Sequence, residues 1–442
     1  MGKMVETGSK AIEWIHSRRP FGQRPGLERV KALLALVDHP EKKVPTIHIA
    51  GTNGKGSTVS YLKEMLQEAG IVVGTFTSPY IESFHERIAI NGKFITDEEL
   101  VTLVNKYQPL VEKLDQQEAV SGITEFEVLT ALALDYFVGK VDVAIIEVGL
   151  GGLLDSTNIV EPMLTGITTI GYDHTEILGD TLEEIAAQKA GIIKPNIPVV
   201  TGNIEDNALG VIIDTATKNN AEIYRFGKEY EVTYLHPDDN WGEWFDFRNQ
   251  NGKLKNLKTA LIGRHQPENA GVAIQLFELY CALNKINWQE KEIKKALQQT
   301  FWPARMERLS SEPLIILDGA HNTHAMKRLV ESMQDEFKGR KLHILFSALE
   351  TKNVTEMLQE LLKLKNGHIY LTTFDYPRAI KLDDDFVNID DKRVSIVSLW
   401  QFGLAEILEK MDDESLLLVT GSLYFVSEVR SLLLEMGGAH AS

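Results

Sequence analysis

"IHIAGTNGKGSTVSYLKEML", residues 47–66, sets the frame for the whole chain. A short β-branched run gives way to a turn holding three glycines, and a helix-like run follows. The strict phosphate-loop pattern is a glycine, any four residues, then Gly-Lys and Ser or Thr. It is not met, because Ile49 stands where the first glycine belongs and Gly56 separates Lys55 from Ser57. The physical requirements are met nonetheless. Gly51, Gly54 and Gly56 can take positive φ cheaply and let backbone N–H groups approach an anion. A helix beginning near Ser57 aims its positive end at the same spot, and Lys55 adds a mobile charge. Ser57 or Thr58 is placed to offer a hydroxyl to Mg²⁺. Val59, Leu62, Leu66 and Ala69 fall on one helix face, and Gly70 closes it.

Outward from this stretch the chain alternates short apolar runs with helical segments. Strands are expected within 71–78, 141–149, 163–171, 197–202 and 221–227, several apolar at every position, as in a parallel sheet covered on both faces. Residues 228–262 change to aromatic and polar alternation with turns at Pro237-Asp238 and Asn251-Gly252, which predicts a small antiparallel appendage. Helical pattern returns from Pro267 to Thr300. Strands then resume within 314–320, 341–349, 368–374, 394–400 and 416–422. The expected fold class is α/β: an N-terminal phosphate-loop domain over 1–299 and a second, Rossmann-like α/β domain over 300–442.

A chain of 442 residues exceeds what one core usually supports, which agrees with two domains. Its net charge of −17 carries no long single-sign run and argues against nucleic acid as a partner. The single cysteine, Cys281, excludes an internal disulfide and fits a small core residue. No apolar run is long enough to span a bilayer, and "MGKMVETGSK" lacks an apolar signal region. A cytoplasmic protein is expected.

Several acidic and basic residues fall at predicted strand ends. Glu147 closes "VDVAIIEVGLGG", where an acidic residue can hold Mg²⁺ directly or through water. Asp173 and His174 follow the next strand, although a lone histidine there also serves structural purposes. Lys189 lies in the last turn of a helix with a capping box, Thr181 with Glu184, and would complement the helix dipole. In the second domain "LIILDGAHNTHAMKRLV" sets Asp318, His321 and Asn322 at a strand-to-helix turn. Arg305, in "FWPARMERLS", can meet an anion or form a structural salt bridge.

Together, "GLERV", "IHIAGTNGKGS", "TSPYIESFHERI", "TEFEVLTALAL", "EVGLGGLLDSTN", "DHTEILGDTLEEIAAQKAGIIK", "GRHQPENAGVAI" and "LDGAHN" resemble the folylpolyglutamate synthase and dihydrofolate synthase family, within the Mur ligases. They run in family order over residues 26–322. The resemblance implies an ATP-dependent ligase that joins L-glutamate to a folate through an acyl phosphate, with ATP, folate and glutamate as its small-molecule partners and a monomeric chain. It implies that Asn53 and Gly54 to Thr58 cradle the ATP phosphates, with Lys55 catalytic, and that Ser57, Glu147 and His174 serve Mg²⁺. Lys189 matches a lysine that the family carries carbamylated. Asn269 would contact the adenine side, while Arg305 and Asp318 would bind ATP from the second domain. His321 would hold glutamate or the transferring phosphate. Ser78 and Asp155 match the acceptor side.

Two departures stand out. Bifunctional relatives often have "GGRLDATN", where this chain has Leu153 for the arginine and Ser156 for the alanine, which puts the dihydropteroate activity in question. "WPARME" carries Ala304 where glycine is usual. Two other readings compete: a Mur ligase acting on a UDP-sugar peptide, and a nucleotide-binding regulatory module without ligation.

Overall fold

The computed structural model describes residues 4–18, 26–382 and 391–438; Met1–Lys3, on which the N-terminal signal reading partly rests, lie outside them. The chain divides into two compact units. The first comprises Met1–Thr233, Phe245–Lys258 and Pro267–Thr300, the second Tyr234–Trp244, Thr259–Gln266 and Phe301–Ser442. Two short stretches of the 228–262 region therefore join the second unit, a partition that residue patterning does not reveal.

The first unit is built on eight strands: β1 (Thr46–Ala50), β2 (Val73–Phe76), β3 (Ile88–Ile90), β4 (Lys93–Phe94), β5 (Val143–Glu147), β6 (Leu164–Ile167), β7 (Val199–Thr201) and β8 (Ile223–Arg225). Their order is β4-β3-β2-β5-β1-β6-β7-β8. From β2 to β8 every pairing is parallel, and β3 and β4 add an antiparallel edge that the apolar runs did not disclose. β1 lies between β5 and β6, and Ile49 pairs in register with Glu147. The chain leaves β1 toward β2 on one side and later reaches β6 on the other. The carboxyl end of β1 is thus a switch point, where open α/β sheets bind ligands.

Two of the sequence motifs meet in the core of this unit. Thr124 and Glu127 form a capping box at the start of the helix Glu125–Phe137. Glu127 also accepts from Arg29 Nε of "GLERV" at 3.1 Å, with both side chains buried. A buried charge is tolerable only when so paired. Cys281 is buried, in the helix His265–Asn284.

The appendage is a three-stranded antiparallel-patterned sheet, β9 (Tyr230–Pro237), β10 (Glu243–Asn249) and β11 (Gly252–Thr259), in the order β11-β10-β9. The second unit has six strands: β12 (Glu307–Ser311), β13 (Leu314–Leu317), β14 (Lys341–Phe346), β15 (Gly367–Thr372), β16 (Val394–Val397) and β17 (Ser415–Thr420). Their order is β12-β13-β17-β14-β15-β16, parallel apart from the β12–β13 hairpin. Its core is the cluster around Ile316, Met326, Ile344, Phe346 and Leu418. Among the described residues no helix is long and apolar enough to cross a membrane.

Candidate functional site

In the first unit the glycine turn is held by the residues that follow β6. Thr52 N–H donates to the Thr169 carbonyl at 2.8 Å, and Asn53 N–H to Thr169 Oγ1 at 3.0 Å. Thr168 Oγ1 donates back to the Asn53 carbonyl at 2.6 Å. Gly51 and Gly54 carry φ of 151° and 85°. A Cβ on Gly54 would come within 2.3 Å of Asn269 Oδ1, so Asn269 closes directly on the turn. The helix starts at Lys55, two residues before the sequence suggested, and Gly56 is helical in its first turn. Gly56 therefore contributes an uncluttered backbone, not a positive φ.

Ser57 and Thr58 are buried at the helix start, and Thr58 Oγ1 has no hydrogen-bond partner among the described residues. A buried hydroxyl left over at a helix start behind a glycine turn fits a site built for an anion and its counter-ion. Lys55 Nζ folds back to the Gly51 carbonyl at 2.9 Å.

Glu147, at the end of β5, is buried, and Oε2 accepts the Ser78 N–H at 3.3 Å. This contact brings the loop after β2 to the metal-ligand candidate. His174 adopts φ 50° as it caps the short helix Thr175–Leu178, and its ring lies 3.9 Å from Asp173. Among the described residues no group of three or more His, Cys, Asp or Glu side chains forms a metal cluster. An ion here would draw on a hydroxyl of the turn, on Glu147 and His174, and on the phosphates it accompanies.

Lys189 departs from its simple helix-dipole reading. It is in the last turn of the helix Leu182–Ala190, yet it is only 4% exposed. Burial, then the positive charge of Lys55, pulls its pKa down to about 7, while Asp173 and Asp155 oppose that shift. A dipole-complementing lysine normally keeps its ammonium in water. This one is held where its amine is neutral much of the time.

Asp155 is 1% exposed and caps the short helix Ser156–Ile159. One oxygen accepts from Thr157 N–H at 2.9 Å and the other from Leu150 N–H at 2.8 Å. Its carboxylate is engaged with its own loop, and burial raises its pKa against those hydrogen bonds. Leu153 and Leu154, on the same loop, remain about half exposed.

In the second unit Asp318 follows β13. It accepts from Met306 N–H and Ala320 N–H, both at 2.9 Å, and burial raises its pKa while Arg305 and these N–H groups lower it. Ala304 and Met306 flank Arg305 with φ of 52° and 46°. The positive φ at 304 explains why glycine suits that position. Gly319 N–H donates to the Ala304 carbonyl at 2.8 Å, which brings the Arg305 turn onto the Asp318 turn. His321 Nδ1 donates to the Gly319 carbonyl at 2.8 Å, which leaves Nε2 as the acceptor of the neutral ring. Asn322 caps the helix Thr323–Glu336 through Ala325 N–H.

Sequence reasoning missed the support of this turn. Arg430, on the helix Leu423–Gly438, donates to both oxygens of Glu307, and Glu307 Oε2 accepts Ala304 N–H at 2.9 Å. It also missed Glu243, which is fully buried, and the neighbouring, partly buried Glu336, each of which shifts the other's pKa. No motif marks either pair, because their partners are more than ninety residues apart in sequence.

The chain matches the family models "Mur ligase middle domain" over residues 49–277 and "Mur ligase, glutamate ligase domain" over 304–423. It is 42% identical over 431 residues to the dihydrofolate synthase/folylpolyglutamate synthase of Bacillus subtilis (strain 168), covering 96% of this chain and 98% of that one. The chain belongs to the folylpolyglutamate synthase and dihydrofolate synthase family of Mur ligases. Another member, the folylpolyglutamate synthase of Lacticaseibacillus casei, is 34% identical over 429 residues, covering 96% of this chain and 98% of that one. Among solved structures of the family, a Mycobacterium tuberculosis folylpolyglutamate synthase complexed with ADP superposes with a TM-score of 0.89 at 28% identity, covering 96% of this chain and 98% of that one. An FPGS–AMPPCP–folate complex superposes with a TM-score of 0.85 at 33% identity, covering 97% and 100%.

Proposed function

We propose that this chain is an ATP-dependent ligase that adds L-glutamate to the γ-carboxylate of a reduced folate. The observation that carries the reading is the glycine turn closed by Asn269 at the β1 switch point, with Glu147 beside it in register. A carboxylate is a poor electrophile toward an amine. Its oxygen attacks the γ-phosphorus of ATP, ADP leaves, and an acyl phosphate results. The glutamate amine then adds to the acyl carbon, and inorganic phosphate departs as the amide forms and the amine loses a proton. Little of this needs covalent help from the protein; positioning and charge neutralisation supply the catalysis.

Asn53 to Thr58 are assigned to the phosphates, with Lys55 neutralising charge on the transferred group. Ser57, Glu147 and His174 would hold Mg²⁺, which supplies charge neutralisation at the phosphate oxygens. Asn269 and, from the second unit, Arg305 and Asp318 are assigned to the nucleotide. His321, whose Nδ1–H donates to the Gly319 carbonyl, is assigned to glutamate or the transferring phosphate. Ser78 is assigned to the acceptor folate, and Asp155 serves it by shaping the loop. The domains are assigned as ATP-binding over 1–299 and glutamate-ligating over 300–442.

Lys189 is assigned as a carbamate. Its neutral amine attacks CO₂, a C–N bond forms, and one proton is released, which turns a buried neutral amine into a buried anion. A pKa of about 7 makes that amine available at neutral pH. Intact-mass and ¹³C-bicarbonate NMR measurements that find Lys189 unmodified would remove this assignment. The chain is further proposed to work as a cytoplasmic monomer, which sedimentation checks in part.

The deciding experiment measures ADP release with ATP, Mg²⁺ and L-glutamate, comparing tetrahydrofolate, dihydropteroate and no acceptor. Turnover that requires both glutamate and tetrahydrofolate supports the reading. Dihydropteroate turnover would add the dihydrofolate synthase activity. ADP release only with a UDP-sugar peptide, or with no acceptor dependence, would sink it.

A further inference from the structure

His48 sits in β1, wholly buried, and no step of the phosphate chemistry uses it. Its Nε2 lies 2.8 Å from Thr157 Oγ1, and its Nδ1 is buried with no partner among the described residues. Thr157 Oγ1 in turn lies 2.5 Å from Asp155 Oδ1. Two proton arrangements fit this chain. In one, Nε2–H donates to Thr157, whose hydroxyl donates to an ionised Asp155, and the orphan at Nδ1 is a lone pair. In the other, a protonated Asp155 donates to Thr157, whose hydroxyl donates to Nε2. That places a hydrogen on Nδ1, a buried donor with nothing to accept it. The second also neutralises a carboxylate that already receives the N–H groups of Leu150 and Thr157. An orphaned buried N–H and a lost charge-assisted bond each cost more than an orphaned lone pair. The first arrangement prevails. Burial adds to this by holding the ring neutral, with its pKa down at about 3.

The loop that Asp155 ties down lies on the helix carrying Lys189. Leu153 N–H donates to the Gln188 carbonyl at 2.7 Å, and Asn158 Nδ2 bridges the Leu153 and Gly191 carbonyls at 3.0 Å each. A Cβ on Gly152 would meet Gln188 O at 2.7 Å, so the loop has no room to shift toward the helix. It presents Leu153 and Leu154, 45% and 46% exposed, at the carboxyl edge of the sheet. Two adjacent exposed leucines on an otherwise pinned loop make an apolar wall suited to a flat ring system.

We propose that His48 is a positioning residue for the acceptor: its Nε2–H orients the Thr157 hydroxyl, which fixes the Asp155 carboxylate and with it the Leu153–Leu154 wall against which the acceptor ring packs. The proposal rests on the folate-ligase reading above. It assigns to a core residue on β1 an effect on one substrate only.

The test compares KM for tetrahydrofolate and KM for ATP in the wild type, His48→Leu, His48→Gln, Thr157→Val and Thr157→Ser. Removing the donor or the relay should raise KM for the acceptor about tenfold and leave KM for ATP within about twofold, because one buried hydrogen bond of the chain is lost and the Asp155 carboxylate loosens. His48→Gln and Thr157→Ser, which keep a donor, should restore most of the acceptor KM. Equal rises in both KM values, or an unchanged acceptor KM in folded His48→Leu, overturns the proposal. Should the variants not fold, ¹⁵N NMR of the wild type still decides. His48 must be the Nε2–H tautomer with no titration between about pH 5 and pH 9, and an Nδ1–H signal overturns the proposal. A wild type inactive with every folate would sink the functional reading while leaving the tautomer result standing, so the two failures are distinguishable.

Discussion

Lys55 Nζ donates to the carbonyl oxygen of Gly51 at 2.9 Å, so the charge carried by the glycine turn rests on the turn's own backbone. A second carbonyl, that of Thr52, lies 3.4 Å away. Bound phosphate offers a stronger partner than either, since charge-assisted bonds are roughly twice as strong as those to a neutral oxygen.

Lys55→Ala is therefore expected to lower kcat/KM for ATP by about a hundredfold or more while leaving the melting temperature within about 2 °C. Thermal unfolding beside steady-state kinetics checks both halves. A comparable loss of stability would mean that the lysine holds the loop and not the nucleotide.

Gly54 meets two restrictions at once, φ of 85° and Asn269 Oδ1 at 2.3 Å from the position of a Cβ. Gly54→Ala should weaken ATP binding by at least about tenfold, through left-handed strain of roughly 1–2 kcal/mol plus the clash. Asn269→Ala removes only the clash. In a double-mutant cycle read by nucleotide titration calorimetry, the two changes should couple by about 1 kcal/mol. Strict additivity would place Asn269 away from the turn.

Glu243 and Glu336 set two carboxyl groups close together in the second unit, where a shared proton relieves their repulsion. Glu243 accepts Gly263 N–H at 2.6 Å and Tyr234 OH at 3.1 Å, and Asp335 and Arg264 stand nearby with opposite effects. Burial, then the neighbouring Glu243, pushes Glu336 up to about 8 from an ordinary value of 4.5. Between those two values the folded state keeps a proton that the unfolded state has released. Stability from this group therefore falls as pH rises through that window and levels off above about 8. Melting curves from pH 5 to pH 9 should show Glu336→Gln losing less stability with rising pH than the wild type. Parallel curves would show that the pair does not share a proton.

Arg430 and Glu307 are 6% and 7% exposed, and their side chains meet through two to three hydrogen bonds of 2.8 to 3.0 Å. Removing one member strands a buried charge. Arg430→Ala should cost about 3–5 kcal/mol in urea unfolding, whereas replacing both residues by apolar ones should cost much less. Because Glu307 also accepts Ala304 N–H, Arg430→Lys should raise KM for ATP through Arg305 with a smaller loss of stability. An ATP KM unaffected in a folded Arg430 variant would separate this pair from the nucleotide.

By itself the sequence determined the α/β class, the glycine turn between β1 and its helix, the Thr181–Glu184 capping box and the residues at strand ends, because these depend on neighbours within about one turn or one strand. Apolar runs, glycines and Ser/Thr with Glu three residues later carry that local physics in plain form. The strands β3 and β4 escaped notice because runs of three and two residues are too short to set an apolar period. Only the tertiary structure decided the burial of Lys189, the inward engagement of Asp155 and the relay from His48. Each depends on which distant side chain fills the remaining space and how much water is excluded. Lys189 shows the difference most plainly. A lysine in a last helical turn reads as a solvated cation until the packing around the helix removes the water that would keep it charged.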